Sequence, residues 1–590
     1  MSQAANYGDE HDDLEEHPNR PPRGDWSFHD TVVQWAAASI DRSGLVPRLE
    51  LWRATDQTRS GRPPNWPSDR ALLTAMLLAA REGRPSLITE YRDILTKHIS
   101  ATMRDALAIP EPPQLDDTNS WLAAYRRTRT RFRAICKLID PSPFPKNRRL
   151  SPDEFEHACR DLSPQQMELY SARLTFVANA VLEMSIAEIP AAVFARWKGS
   201  VGVDATPIPL FSRPPRTSGK GKNRVTLVHS ADPDGGFYSR TADGQDANNL
   251  VDALDRKIKK RFWADEGTFV VTASDEPDED KDFPHPLIIG MAPLHRPGVE
   301  PGENGVRALA NVQSRGYPAG WLAADRAYSS SVPEKFQLPA KAMGYKVVFD
   351  YRSDQLGHQT THEGAQQVDG QWYCPAMPEQ IVLVTKEEAE LERDLYEQRM
   401  QARENYALRR RGRPDANGDT RWACPAAGPS PTVTCPFKQN QQGTGLMPVF
   451  PSLLLEAKKP KICQQDTIMI PHSAGAKFGQ ELTYRSPDWH RLYAAIRNTN
   501  EGIHGIAKDG AYEALGVAER RRERGVAAQT LLVAFLLVGA NLRMLDKFLT
   551  EATPDSDGVL RVPTKAPPPS RLRPALSDHL PQDIDIDRVL

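Results

Sequence analysis

An aspartate stands in the middle of an apolar, β-branched run at residues 200–211, SVGVDATPIPLF, and no other feature limits the chain as strongly. The composition of the run predicts a strand. An acid between Val203 and Ala205 in such a strand is costly to bury unless it is paired, protonated or bound to a cation. The strand that holds Asp204 is therefore expected to carry a charged site. Strand-like segments follow at 223–232 (NRVTLVHSAD), 236–241 (GFYSRT), 283–295 (FPHPLIIGMAPLH), 320–328 (GWLAADRAY) and 344–351 (GYKVVFDY). Helical patterns occupy 248–262 and 302–316. Three strands in succession, then strands alternating with helices, predict an α/β fold with a mixed sheet and flanking helices.

The flanks read differently. Residues 1–25 are acidic, Pro-rich and without apolar period, and are expected to be a disordered tail. Residues 26–199 read as a helical N-terminal region with a DNA-binding role. Ser151 and Ser163 mark helix starts, each followed by Pro and then by Glu or Gln three residues on. Residues 200–351 form the expected core, 352–485 an irregular insertion domain, and 486–550 further core helices. Residues 551–590 are expected to be a disordered Pro-rich tail. The apolar segment 525–545 contains Gln529, Asn541 and Arg543, and its uninterrupted run is too short for a bilayer, so a buried core helix is expected and no membrane partner.

Two further acids fit the charged site. Asp325 ends a strand pattern, WLAAD, preceded by a helix, which is the usual edge for a site in an α/β sheet. Glu501 lies on a predicted helix. At 100° per residue from Tyr493, Arg497 falls at about 40°, Glu501 at about 80°, His504 at about 20° and Lys508 at about 60°. One face thus gathers an acid, two permanent cations, a histidine and a phenol. Three carboxylates suit Mg²⁺, or Mn²⁺ in its place, with water and phosphate completing the shell. Arg497, Lys508 and Tyr493 are then placed to meet a nucleic-acid backbone. Taken singly, the aspartates also suit turn caps and the helix face an ordinary solvated surface.

Charge is consistent with a polyanion partner. The chain carries a net −2, but residues 1–25 and residues 272–283 carry −5 each, leaving +8 on the remainder. Arg127 and Arg131 lie on a strongly basic helix, and Lys220, Lys222 and Arg224 lie in a loop between strands; all five are candidate contacts to DNA phosphates. Four of the six cysteines, Cys374, Cys424, Cys435 and Cys463, fall in the insertion. Four thiols in one segment suit a structural Zn²⁺. The lack of paired C-x2-C knuckles suits buried free thiols instead. Irregular cysteine spacing and an acidic, unhydrophobic N-terminus predict a cytoplasmic protein.

The motifs VGVDATP, Asp325-Arg326-Ala327-Tyr328 and Arg497-x3-Glu501-x6-Lys508 resemble those of bacterial insertion-sequence transposases of the DDE class. The family signature is Tyr-x2-Arg-x3-Glu-x6-Lys; here three residues separate Tyr493 from Arg497. The resemblance implies an RNase H-like core with Asp204, Asp325 and Glu501 as catalytic and metal-binding residues. It adds Arg326 to the DNA contacts. It implies Mg²⁺-dependent cleavage of double-stranded DNA at element ends and transfer of those ends into a target. A homodimer is implied because two ends need two active sites. A nuclease without strand transfer, and an inert DNA-binding relic, share the same motifs.

Overall fold

The chain is described here from a computed structural model, which covers residues 26–56, 66–113, 117–142, 144–161, 163–219, 223–241, 258–438 and 446–563. The acidic N-terminal tail, Lys220, Lys222, most of the helix expected at 248–262 and the end of the Pro-rich tail lie outside these residues.

Its architecture is mixed α/β. The strands of the first half are β1 (Val201–Pro209), β2 (Arg216–Ser218), β3 (Val225–Val228), β4 (Gly236–Thr241), β5 (Ile258–Thr272), β6 (Ile288–Met291), β7 (Trp321–Ala324) and β8 (Lys346–Phe349). The main sheet runs β4-β5-β1-β7-β8, with β6 also on β5. β5 is antiparallel to β1, β4 and β6, whereas β7 is parallel to both β1 and β8.

Two expectations change here. Residues 258–262, read as helix, open the fifteen-residue strand β5. Over 258–262 the helical period loses to antiparallel pairing with β4 and to cross-strand aromatic contacts, Tyr238 with Phe262 and Phe237 with Trp263. The segment 223–232 does not join the sheet; its strand β3 pairs with β2 in a separate ribbon.

Helices cover the sheet. The helix starts act as expected: Ser151 forms a full capping box with Glu154, Ser163 caps the helix Pro164–Ile186, and Ser486 caps the helix Pro487–Lys508. The apolar helix, Val526–Glu551, packs against Pro164–Ile186 and Asp69–Arg81 in one core. Each buried Leu or Phe there contributes about 1.5–3 kcal/mol. Among the described residues it is the one helix long and apolar enough to cross a bilayer, and most of its apolar stretch is buried within the protein. Buried asparagines on this helix and on Pro164–Ile186 have backbone partners. Asn541 both accepts from and donates to the backbone of Ile288 at 2.8 Å, and Asn179 does the same for Met291 at 3.0 and 2.9 Å. The free edge of β6 is thus satisfied by side chains rather than by another strand.

The insertion builds its own core on small sheets: β9 (His358–His362), β10 (Ala365–Val368) and β11 (Gln371–Tyr373); then β12 (Arg409–Arg411), β13 (Thr420–Ala423), β14 (Val433–Thr434), β15 (Met447–Pro448) and β16 (Thr467–Ile470). Arg403 and Asp369, both fully buried, pair at 2.7 Å inside it. Its charged run is helical only over Arg393–Asn405. At the C-terminus, residues 553–561 form a short hairpin rather than opening a disordered tail.

Candidate active site

The parallel register of β1 and β7 aligns Val203 with Ala324, so Asp204 and Asp325 are the next residues on two adjacent strands. Neighbouring strands lie about 4.8 Å apart, and residues in register point to the same side. Asp325 leaves the sheet as the N-cap of a helical turn, its Oδ1 accepting from the Arg326 amide at 2.7 Å. The same logic extends one strand further. Ala324 aligns with Phe349 on β8, which puts Asp350 beside Asp325. Three aspartates therefore stand in register across three parallel strands, Asp204 within β1 and Asp325 and Asp350 just past the carboxyl ends of β7 and β8.

The helix bearing Glu501 lies along β1 in a matched ladder. Asn500 packs over Gly202, where a Cβ would come within 2.3 Å of its side-chain amide. His504 Nδ1 is 3.6 Å from Asp204 Oδ2. Lys508 Nζ donates to Thr206 Oγ1. Four helical residues rise about 6.0 Å and two strand residues about 6.6 Å, so each helical turn meets every second position of the strand. This is why the strand needs glycine at 202: any side chain there would lift the helix from Asp204. Gly502 and Gly505, by contrast, face open space.

Arg497 closes the constellation. Its Nη1 donates to Asp325 Oδ1 and its Nε to Glu501 Oε1, each at 3.2 Å. Asp204 is the most enclosed of the three acids, with 26% of its side chain exposed against 43% for Asp325 and 59% for Glu501. Burial, with Asp325 beside it, pushes the Asp204 carboxyl up to about 7. Burial and the Lys508 ammonium press the His504 ring down to about 3, so it is neutral and its buried Nε2 has no partner. The site concentrates negative charge around one movable guanidinium. Three carboxylates fit a hard divalent ion in kind. Among the described residues, however, no three His, Cys, Asp or Glu side chains are spaced to hold a metal as they stand. Arg497 occupies the position of the cation for two of them, and ligation requires it to move aside.

The other candidates sort by their partners. Arg326 pairs with Asp350, whose other oxygen accepts from the Tyr484 hydroxyl at 2.7 Å. Tyr493 stacks on Trp489 at 4.7 Å, and burial, with Asp350 near, pushes its phenol up to about 12. Arg131 turns inward to the Pro67 carbonyl at 2.8 Å and to Asp69, a structural role. Arg127 is exposed on the same helix, with its guanidinium 5.8 Å from the Trp66 ring. Arg224 donates to Thr217 in the β2–β3 ribbon. A groove of about 780 Å³ beside the basic helix is lined by Arg129, Arg133, Lys146, Arg522 and Arg524, with Asp140, Asp161 and Glu523 among them. Trp372 is buried in the insertion core.

Asp350 and Asn500 escaped the reading of the sequence. The first had a signal: VVFD at 347–350 repeats the apolar-strand-then-Asp pattern of LAAD at 322–325. The second had none, since its role depends on Gly202, almost 300 residues away.

No family model matches the chain, and no curated protein and no solved structure shows a meaningful match.

Proposed function

We propose that the chain is a DNA transposase of the DDE class, cutting and joining DNA phosphodiesters with divalent metal held by Asp204, Asp325 and Glu501. The observation that carries this reading is the register of β1 and β7, which sets two aspartates side by side, together with the helix that lays Glu501 against them. An aspartate on the first strand of a mixed sheet, another at the end of a later parallel strand, and a glutamate on a following helix agree with an RNase H-like core. Mg²⁺ or Mn²⁺ would supply activation of water or a 3′-hydroxyl and stabilisation of the leaving oxygen.

The chain's own residues do the rest. Asp204 would hold the ion as a carboxylate, its proton released to solvent. Neutral His504 packs against Asp204 without adding a competing positive charge. Arg497, freed from the two carboxylates, and Lys508, on the same helix face, are placed to hold the phosphates flanking the scissile bond. The basic groove beside residues 118–137 offers a path for duplex DNA. Two copies acting together on two ends, in the cytoplasm at the nucleoid, complete the reading.

The test uses DNA flanking the gene, incubated with the purified chain and Mg²⁺ or Mn²⁺, with products mapped at nucleotide resolution. Breaks at inverted-repeat ends followed by joining to a second DNA are the expected result. Breaks without joining would make the protein a nuclease, and binding without breaks in any metal an inert relic.

A further inference from the structure

The insertion domain holds a second cluster of potential ligands, remote in chemistry from the carboxylates. Cys374 follows β11, Cys424 follows β13, Cys435 follows β14, and Cys463 lies on the short helix Lys461–Gln464. All four belong to or pack against one apolar core, and all four are free thiols. Each of Cys424, Cys435 and Cys463 lies close enough for its charge to act on Cys374. Cys463 senses Cys424 and Cys435 in the same way.

The backbone around them is built alike. Three are Cys-Pro dipeptides, and each opens a tight turn in which the amide three residues on donates to the cysteine carbonyl: Met377 to Cys374 at 3.1 Å, Ala427 to Cys424 at 3.0 Å and Lys438 to Cys435 at 3.0 Å. In the first two turns the amide two residues on, Ala376 or Ala426, also donates to the cysteine sulfur. Burial pushes the Cys374 and Cys424 thiols up, and these amides act against that rise; a bound metal would compensate the rest of the thiolate charge. The fourth member is tied in by the Cys424 amide, which donates to the Asp466 carbonyl at 2.9 Å just after the Cys463 helix. The side chain of Lys438, almost fully buried, reaches Asp466 at 3.2 Å and brings positive charge to the cluster.

We propose that Cys374, Cys424, Cys435 and Cys463 form a tetrahedral, structural Zn²⁺ site that cross-links the insertion domain. The thiols do not stand at ligation spacing now; rotation of their χ1 angles would draw them together, with each ligating sulfur releasing its proton to solvent. The domain has need of a cross-link. One of its sheets, β14 with β15, has only two short strands, which is marginal for independent stability. The buried thiol reading explains apolar packing but not three repeated Cys-Pro turns whose cysteines lie within electrostatic reach of one another.

This inference stands apart from the transposase reading, because its test reads sulfur ligation and not activity. The full chain, purified without an affinity metal, would be analysed for bound zinc and then reconstituted with Co²⁺. One zinc per chain, and a cobalt complex with an intense near-ultraviolet thiolate-to-metal band and tetrahedral visible bands, are expected. Cys424→Ser and Cys435→Ser should each weaken or abolish the cobalt spectrum, whereas Cys136→Ser and Cys159→Ser should leave it intact. Should a serine variant fail to fold, release of zinc from the unaltered chain by a mercurial reagent, titrated against thiols consumed, replaces it; four thiols per zinc are expected. A cobalt spectrum lacking sulfur bands, or a chain without zinc that does not take up cobalt, would overturn the proposal.

Discussion

Arg497 reaches across 172 residues of sequence to donate from Nη1 to Asp325 Oδ1 at 3.2 Å, and the same guanidinium turns its Nε to Glu501. The side chain stands where a divalent ion would compensate the same two carboxylates. Replacing it with glutamine leaves these acids unscreened in metal-free protein. Arg497→Gln should therefore lower the metal-free melting temperature and increase the stabilisation that saturating Mn²⁺ adds. Equal Mn²⁺ shifts in both proteins, read by calorimetry, would deny the guanidinium this role.

Asp204 sets a pH dependence. Its folded pKa, about 7, lies above the usual carboxylate value, so the folded state binds more protons than the unfolded chain between about pH 4 and 7. The site costs nothing below that window, costs progressively more through it, and costs the full amount above pH 7. Asp204→Asn cannot ionise. It should match the unaltered chain near pH 4 and exceed its stability above pH 7 by up to roughly 4 kcal/mol, less whatever solvent screening removes. Apparent affinity for Mg²⁺ should rise with pH through the same window. Parallel stability–pH curves for the two proteins would contradict the assignment.

Gly202 tests the ladder between strand and helix. A methyl group there meets the Asn500 side chain at 2.3 Å. Gly202→Ala should destabilise the fold by about 1–3 kcal/mol and lower cleavage more than DNA binding. Gly202→Ala combined with Asn500→Ala should recover part of both losses. A double variant no better than Gly202→Ala alone would place the strain elsewhere.

The edge of β6 depends on Asn541. Asn541→Leu keeps the volume but leaves the Ile288 amide and carbonyl without their 2.8 Å partners. Denaturant unfolding should show a loss of about 2–4 kcal/mol, with amide exchange at Ile288 among the most accelerated.

These residues also show what the sequence could and could not reveal. Asp204 and Asp325 were legible because an acid inside an apolar strand pattern breaks a local rule. Glu501, Arg497 and Lys508 were legible because helical period is local as well. Strand β5 was misread because its early residues satisfy a helical period that pairing with β4 overrides. The row formed by Asp204, Asp325 and Asp350 was hidden for the same reason: register between parallel strands belongs to the assembled sheet. Arg131 looked like a phosphate contact because its neighbours are basic, yet packing turned it toward Pro67 and Asp69.

The most direct measurement is metal-dependent DNA cleavage by three single variants beside the unaltered chain. Asp204→Asn, Asp325→Asn and Glu501→Gln should each lose cleavage by at least about a thousandfold, a magnitude expected when a metal-centred phosphoryl transfer loses a ligand. Their binding to the same DNA should stay within a few-fold of the unaltered protein, since phosphate contacts come from other side chains. Cleavage retained in any one of the three, in folded protein with Mg²⁺, would contradict the three-carboxylate site on which the account rests.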